Sequence, residues 1–384
     1  MRSQTVLGLV FTLMCSESAL AEATTPEPAA TEQDSAAESA ELQFSAFVDA
    51  NYVLNTSKPG SPIPGFRAYA GASPAPDGSG YVTDNGFALN FAGLDAAYDA
   101  GSYGATLSLR FGPKVPNYHF NSDPSTFGIE NVTQAYATWI PTEGLTLDFG
   151  MFGTIFGAEV LESWQNLNYT RGALYFAAQP FWHTGLRAAY TVSDMLSVTA
   201  LVVNDANTAW SSDNPQDNAP VLALQVRLTP SEALSIALGG MYAVDTQTSS
   251  GLETFADLVV TYNVAALSAV LNADYNFNRD EGSSIAGVSL ALGYQFTPMF
   301  GAALRGEYVK YDDGDDSVDD PFEEPILTGT ATLDFKPVPA SQQLVVRLEG
   351  RVDQQQDAFV KAGSDAELTD VNFMGVVSLV ATTN

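Results

Sequence analysis

From Leu42 onward the dominant pattern in this chain is a strict alternation of apolar and polar residues. A period of two is the period of a β-strand, whose successive side chains point to opposite faces. Leu42, Phe44, Ala46, Val48, Ala50, Tyr52 and Leu54 share one face, while Gln43, Ser45, Asp49, Asn51 and Asn55 share the other. The same holds for Leu267 to Phe277 and for Leu344 to Asp353. Helical spacing is rare outside the N-terminus.

Sixteen such segments follow one another, at 42–55, 86–98, 103–112, 131–140, 145–155, 182–192, 196–204, 220–229, 234–245, 253–264, 267–277, 284–296, 300–310, 325–335, 343–353 and 370–381. Most are nine to fourteen residues long. Strands of soluble proteins average about 5–6 residues, whereas a tilted membrane-crossing strand needs about 9–11. The connections alternate between long and short. Long ones span 56–85, 113–130, 156–181, 205–219, 246–252, 278–283, 311–324 and 354–369. Short ones include Asp99-Ala-Gly-Ser102, Pro141-Thr-Glu-Gly144, Ser193-Asp-Met195 and Pro230-Ser-Glu-Ala233. An even strand number with short turns on one side and long loops on the other is the layout of an outer-membrane barrel. The expected fold class is therefore all-β: a transmembrane antiparallel β-barrel of about 16 strands, with short periplasmic turns and long outer loops. Tyr98, Tyr103, Trp139, Phe296 and Phe300 cluster at strand ends, as an interfacial girdle would.

Composition fits once the two strand faces are separated. A mean hydropathy of +0.01 and a hydrophobic fraction of 46% resemble a soluble protein, yet only 16% of residues are charged. A barrel with one face in lipid and the other in water averages to such values. Closure pairs every backbone amide, and sixteen strands enclose more space than side chains fill. A formal net charge of -30 excludes a nucleic-acid partner, because that charge repels phosphates.

The N-terminus reads as an export signal. Arg2, the apolar run Val6 to Met14 and the small-x-small site Ala19-Leu20-Ala21 predict cleavage after Ala21. That removes Cys15, the single cysteine, so the mature chain of 384 − 21 = 363 residues has no thiol. Disulfides and thiolate-bound metals are thereby excluded. Residues 22–41 carry six acids, no base and little apolar surface, and read as a disordered acidic periplasmic spacer. The domain reading is signal peptide 1–21, spacer 22–41 and barrel 42–384, with loop 156–181 folding inward.

The stretch from Leu145 to Asn204 carries a family resemblance. Gly144-Leu-Thr-Leu-Asp-Phe-Gly150, Gly157-Ala-Glu159, Glu162-Ser163, Asn166-Leu-Asn-Tyr-Thr-Arg171, Pro180-Phe-Trp-His-Thr-Gly-Leu-Arg187 and Val202-Val-Asn204 resemble the OmpL-like putative beta-barrel porin-2 family of Gram-negative outer membranes. Phe44 to Tyr52 is similar to that family's first strand. The resemblance implies an outer-membrane channel for small solutes, with no particular solute specified. The C-terminus, Val380-Ala-Thr-Thr-Asn384, departs from the aromatic ending common in outer-membrane barrels.

In sixteen-stranded pores the third outer loop often narrows the lumen. Here that loop carries Glu159, Glu162, Asn166, Asn168, Tyr169 and Arg171. Strand parity turns Arg110, Arg187, Arg305, Arg347 and Arg351 inward, with Asp148, Asp274, Glu307 and Glu349. Arg227 is also inward, near the periplasmic mouth. Loop carboxylates against wall guanidiniums either set a transverse field across a constriction or pin the loop to the wall.

The acidic span 312–324 suggests a solvated outer loop, or a place where divalent cations bridge lipopolysaccharide. His119 and His183 sit on separate segments, His183 as a structural hydrogen-bonding group. No phosphate loop and no His pair at zinc-helix spacing is present in the sequence, and an inward His183 argues against a lipid-facing Ser/His pair, so no enzyme, cofactor or metal is expected. The expected partners are outer-membrane lipid, lipopolysaccharide and small hydrophilic solutes, in a homo-oligomer that is a trimer by analogy. The expected function is passive diffusion through a mildly cation-selective channel. The alternatives are a structural or adhesive barrel with a blocked lumen, a lipid-acting barrel enzyme and a secreted soluble β-protein.

Overall fold

A computed structural model describes residues 40–59, 72–74, 81–83, 85–112, 131–204, 220–244, 253–279, 282–314, 324–341, 343–361 and 367–383. The expected signal, most of the spacer, His119 and acidic residues 315–323 lie outside them.

Sixteen long strands run β1 Glu41–Asn55, β2 Gly86–Asp99, β3 Tyr103–Phe111, β4 Val132–Thr142, β5 Leu145–Gly153, β6 Trp182–Ser193, β7 Leu196–Val203, β8 Val221–Ser231, β9 Leu234–Ala243, β10 Thr254–Val264, β11 Leu267–Phe277, β12 Ser284–Gln295, β13 Phe300–Asp312, β14 Ile326–Phe335, β15 Leu344–Lys361 and β16 Leu368–Thr382. Each pairs antiparallel with its neighbours in sequence. The ring closes where β1 pairs with β16, from Phe47 opposite Thr382 to Asn55 opposite Met374. Along that span closure leaves no open edge, and the ladder pairs the backbone across the seam.

The alternation settles which face is which. Leu290, Leu292, Leu304, Leu327, Leu333, Leu348, Val377 and Leu379 are exposed on the outside of the barrel. Between them, Arg305, Glu307, Thr332, Arg347 and Glu349 turn inward and are buried. Aromatic rings gather at the short-turn end. Tyr98 and Tyr103 lie 6.0 Å apart, Phe300 stacks on Phe335 at 5.1 Å, and Tyr294 meets Phe296 at 5.1 Å. Tight turns there use glycine where the chain needs positive φ, as at Gly101 (+77°) and Gly144 (+80°).

The last hairpin departs from the expected layout. Residues 354–369 read as a long loop, but β15 continues to Lys361 and β16 begins at Leu368. The pairing shifts register between Gln354 and Phe359. The segment Ser57–Pro59 then adds to β15 as a short extra strand. Apolar alternation stops at the run Gln354-Gln-Gln-Asp357, so periodicity has no signal there. Backbone pairing needs none, and Gln355 is buried, with its amide donating to the Glu324 carbonyl. The final strand stays in register with β1 to Thr382 despite lacking a terminal aromatic residue.

A charge on the outer face tests whether that face meets lipid. Leu304→Arg should destabilise the folded barrel by about 2–4 kcal/mol near the bilayer midplane. Urea unfolding in lipid vesicles measures it, and an unchanged midpoint would contradict a lipid-facing Leu304.

Candidate functional site

The connection between β5 and β6 lies inside the barrel. It is irregular apart from a single 3-10 turn, Ser163–Gln165, and a short helix α1, Ala173–Ala178. Irregular backbone buried away from water needs hydrogen-bond partners from elsewhere. The barrel wall supplies them.

The entrance arm crosses β8 to β11. Gln225 donates its amide to the Ile155 carbonyl. Gly157 N–H donates to Asp257 Oδ1 at 3.2 Å, and Ala158 N–H to Asn272 Oδ1 at 2.9 Å. Phe156 packs edge-on against Phe255 at 5.4 Å. It fits because Gly239 has no side chain, since a Cβ there would come within 2.7 Å of its ring. The wall is similarly cut away at Gly287 for Leu174 and at Gly293 for Leu167.

The arm then reaches the opposite wall. Glu162 pairs with Arg110 at 2.6 Å, and Arg110 also holds Asp95 at 2.9 Å. Trp164 lies against Phe47 with ring centroids 4.0 Å apart. Ser163 Oγ donates to Asp49 Oδ2 at 2.7 Å, the Tyr169 hydroxyl donates to Asp49 Oδ1 at 2.8 Å, and Asn90 Nδ2 donates to Asp49 Oδ2 at 2.8 Å. The return arm runs along β13 to β16. Arg347 donates to the carbonyls of Ser163 (2.6 Å) and Asn166 (2.9 Å). Glu349 accepts from Tyr169 N–H (2.6 Å) and Thr170 N–H (2.9 Å). Arg305 donates to the Thr170 carbonyl at 2.6 Å, and Arg351 to the Arg171 carbonyl at 2.7 Å. Glu307 accepts from Ala173 N–H at 3.1 Å and from Thr328 Oγ1 at 2.6 Å. Glu159 pairs with Arg305 and accepts Gly172 N–H at 2.6 Å.

Nearly all the residues singled out from sequence thus meet in one network. Glu159, Arg305 and Glu307 form one cluster, and Glu162 with Arg110 another. Arg347, Glu349 and Arg351 grip the backbone from Ser163 to Arg171 rather than facing it across open space. Asn166 acts within the loop, its side chain joining Val160 N–H and the Val160 carbonyl at 2.9 and 2.8 Å. Arg171 is buried and donates to the Tyr169 carbonyl at 3.3 Å. Arg187 stands apart from this grip. It pairs with Asp148 on the next strand at 2.8 Å, with its guanidinium over the Phe152 ring at 4.6 Å. His183 is buried, 3.1 Å from the Thr154 hydroxyl.

Sequence reasoning missed Asp49, Asn51, Asn90, Asp257 and Asn272 as anchors. Their inward parity was readable. Their partners, 41 to 120 residues away in sequence for Asp49, were not. Burial pushes the Glu159 carboxyl above its ordinary value despite the opposing pull of Arg305. Burial, reinforced by Asp49, also pushes the Tyr169 phenol well up.

Removing one partner of a buried ion cluster strands the other charges. Arg305→Met leaves Glu159 and Glu307 uncompensated and should cost about 3–5 kcal/mol, read as a lowered urea midpoint. Glu159 has the reverse sign. A carboxyl whose folded pKa is raised binds its proton more tightly in the fold, so its contribution grows as pH falls and shrinks as pH rises. Glu159→Gln should therefore flatten the stability–pH slope just above the ordinary carboxylate range, its urea midpoint gaining on the wild type's as pH rises. An unchanged slope would contradict this sign.

The model of the family described as "Putative beta-barrel porin-2, OmpL-like" matches residues 41–382. A comparison with curated proteins gives no match. Among solved structures, the chain resembles the outer membrane channel DcaP of Acinetobacter baumannii, with 12% identity over 92% of this chain and 100% of that one, at a TM-score of 0.57. An anion-selective porin from Comamonas acidovorans matches at 11% identity, over 89% of this chain and 99% of that one, with a TM-score of 0.56. OmpT of Vibrio cholerae, in a trimer form, matches at 14% identity over 90% of this chain and 100% of that one, also at 0.56. At these identities the likeness is one of fold.

Proposed function

The chain belongs to the OmpL-like putative beta-barrel porin-2 family, and from that premise we propose that it forms a water-filled channel whose constriction is set by loop 156–181. It is a barrel of the Gram-negative outer membrane with a porin role. The observation that carries the constriction is the wall's grip on the loop, through Asp49, Asp257, Asn272, Arg305, Glu307, Arg347, Glu349 and Arg351. A loop held at this many points keeps a fixed shape in the lumen. Toward the short turns the inner wall changes character. Thr106, Thr138, Thr146, Ser197, Thr199, Ser235, Thr261 and Ser268 are small, hydroxyl-bearing and only half-buried. That half suits a wide periplasmic vestibule for small hydrophilic solutes.

Ion preference follows from the charges left over. Arg110, Arg187, Arg305, Arg347 and Arg351 each pair with a carboxylate. Asp49, Asp257, Asp274 and Glu349 are buried inward carboxylates outside those pairs, against two inward cations outside them among the described residues, Arg171 and Arg227, so carboxylates stay in excess even where Asp257 and Asp274 carry one charge between them. The lumen therefore favours cations. A planar bilayer holding the purified protein should show stepwise conductance, and a KCl gradient should give a reversal potential of cation-selective sign. An anion-selective sign would contradict the charge argument; absence of conductance would contradict the channel.

A second reading, a structural or adhesive barrel with a blocked lumen, is favoured by one observation. At the level of the loop, Asp49, Asn90, Ser108 and His183 are all fully buried. Silence in the bilayer would select that reading. We assign no catalytic activity. We also propose that the barrel assembles as a homo-oligomer, by analogy with the trimer form of OmpT, and that its outer face contacts lipid and lipopolysaccharide.

A further inference from the structure

Asp257 and Asp274 stand directly opposite each other on β10 and β11. Both point inward and are buried, with 1% and 4% of their surface exposed. Cross-strand neighbours at directly opposed positions hold their Cβ atoms about 4.5–5.5 Å apart, and like charges there repel. One side of this pair is well occupied. Asn272 Nδ2 donates to Asp257 Oδ1 at 3.0 Å and to Asp274 Oδ1 at 2.9 Å. The other side is not, since the buried Asp257 Oδ2 and Asp274 Oδ2 have no hydrogen-bond partner among the described residues. No Lys or Arg forms an ion pair with either carboxylate among the described residues.

The surroundings offer little countercharge. On β8, Arg227 acts on Asp257 electrostatically, but its guanidinium hydrogen-bonds Gln225 Oε1 at 3.3 Å and Ser235 Oγ at 3.5 Å. On β9 the opposing residue is Gly239, and on β12 it is Gly287, neither of which titrates. From the loop, Glu159 is committed to Arg305, as is Glu307 from β13. Two close carboxylates without a cation do not both ionise readily. The two unpartnered oxygens mark where one proton would lie.

This pair also holds the loop. Asp257 Oδ1 accepts Gly157 N–H, and Asn272, fixed by both carboxylates, accepts Ala158 N–H. We propose that Asp257 and Asp274 share a single proton and form a pH-operated latch on the entrance arm of the loop. With the proton in place, one carboxyl donates to the other, Asn272 is held, and Gly157 and Ala158 are anchored. Loss of that proton to solvent leaves two like charges face to face. They separate, Asn272 loses its common anchor, and the arm detaches from β10 and β11. The consequence for conductance rests on the constriction reading, while the latch itself does not.

Amide hydrogen exchange on the full-length barrel in detergent separates the two. Between about pH 5 and about pH 9, after correction for intrinsic exchange, wild-type Gly157 and Ala158 should lose protection. Asp274→Asn, which keeps a hydrogen-bonding side chain without the charge, should stay protected throughout. Asp257→Asn is the second variant and should behave alike. Flat wild-type protection would overturn the latch, as would an unchanged pH response in a folded variant. Conductance measured on the same samples should follow exchange. Exchange that responds while conductance does not would leave the latch standing and count against the constriction.

Discussion

The whole interior depends on one requirement, that buried backbone amides and carbonyls find partners. A long irregular loop cannot satisfy itself as a helix does, and inside a barrel it has given up much of its contact with water. The wall meets that requirement with ionised side chains. Glu349 takes two consecutive N–H groups, Glu307 takes the first N–H groups of α1, and Arg347, Arg305 and Arg351 cap carbonyls from Ser163 to Arg171. Hydrogen bonds to charged groups are worth about 1.5–3 kcal/mol each, so the grip is strong where it is complete. Charge inside this barrel is first a means of holding a loop.

That role explains why the arginines and acids come in contacting sets. A buried guanidinium needs a carboxylate or hydrogen-bond acceptors, and a buried carboxylate needs a cation or hydrogen-bond donors. Arg305 sits between Glu159 and Glu307, Arg110 between Asp95 and Glu162, and Arg351 beside Asp353. Apolar packing completes the fit. Tyr169, Ala173 and Leu174 join Val53, Val309, Met374 and Val376 in a core inside the lumen. Inward positions that would be polar in an empty pore are apolar where the loop covers them.

The fold was legible because membrane strands obey a long, simple rule. In β11 the alternation from Leu267 to Phe277 marks both ends of the strand without help from anything distant. The rule failed at Gln354 to Gln356, where polar residues continue a strand whose partners are another hairpin strand and Ser57–Pro59. The site was half legible. Parity placed Arg305, Arg347 and Glu349 inward, and loop position marked Glu159 and Glu162. Whether those groups would face each other across water or touch was a question of distance, which periodicity does not carry. Asp49 was hidden for the same reason. Its neighbours on β1 give no sign that a tyrosine and a serine from the third loop will meet it.

The central claim is that the gripped loop, rather than the ring of strands, sets the width of the passage. Polymer exclusion on single channels measures that width. Polyethylene glycols of rising size should be rejected by the wild-type channel at a smaller size than by a variant with residues 158–172 replaced by a short glycine linker. The same cut-off in both channels would contradict the claim.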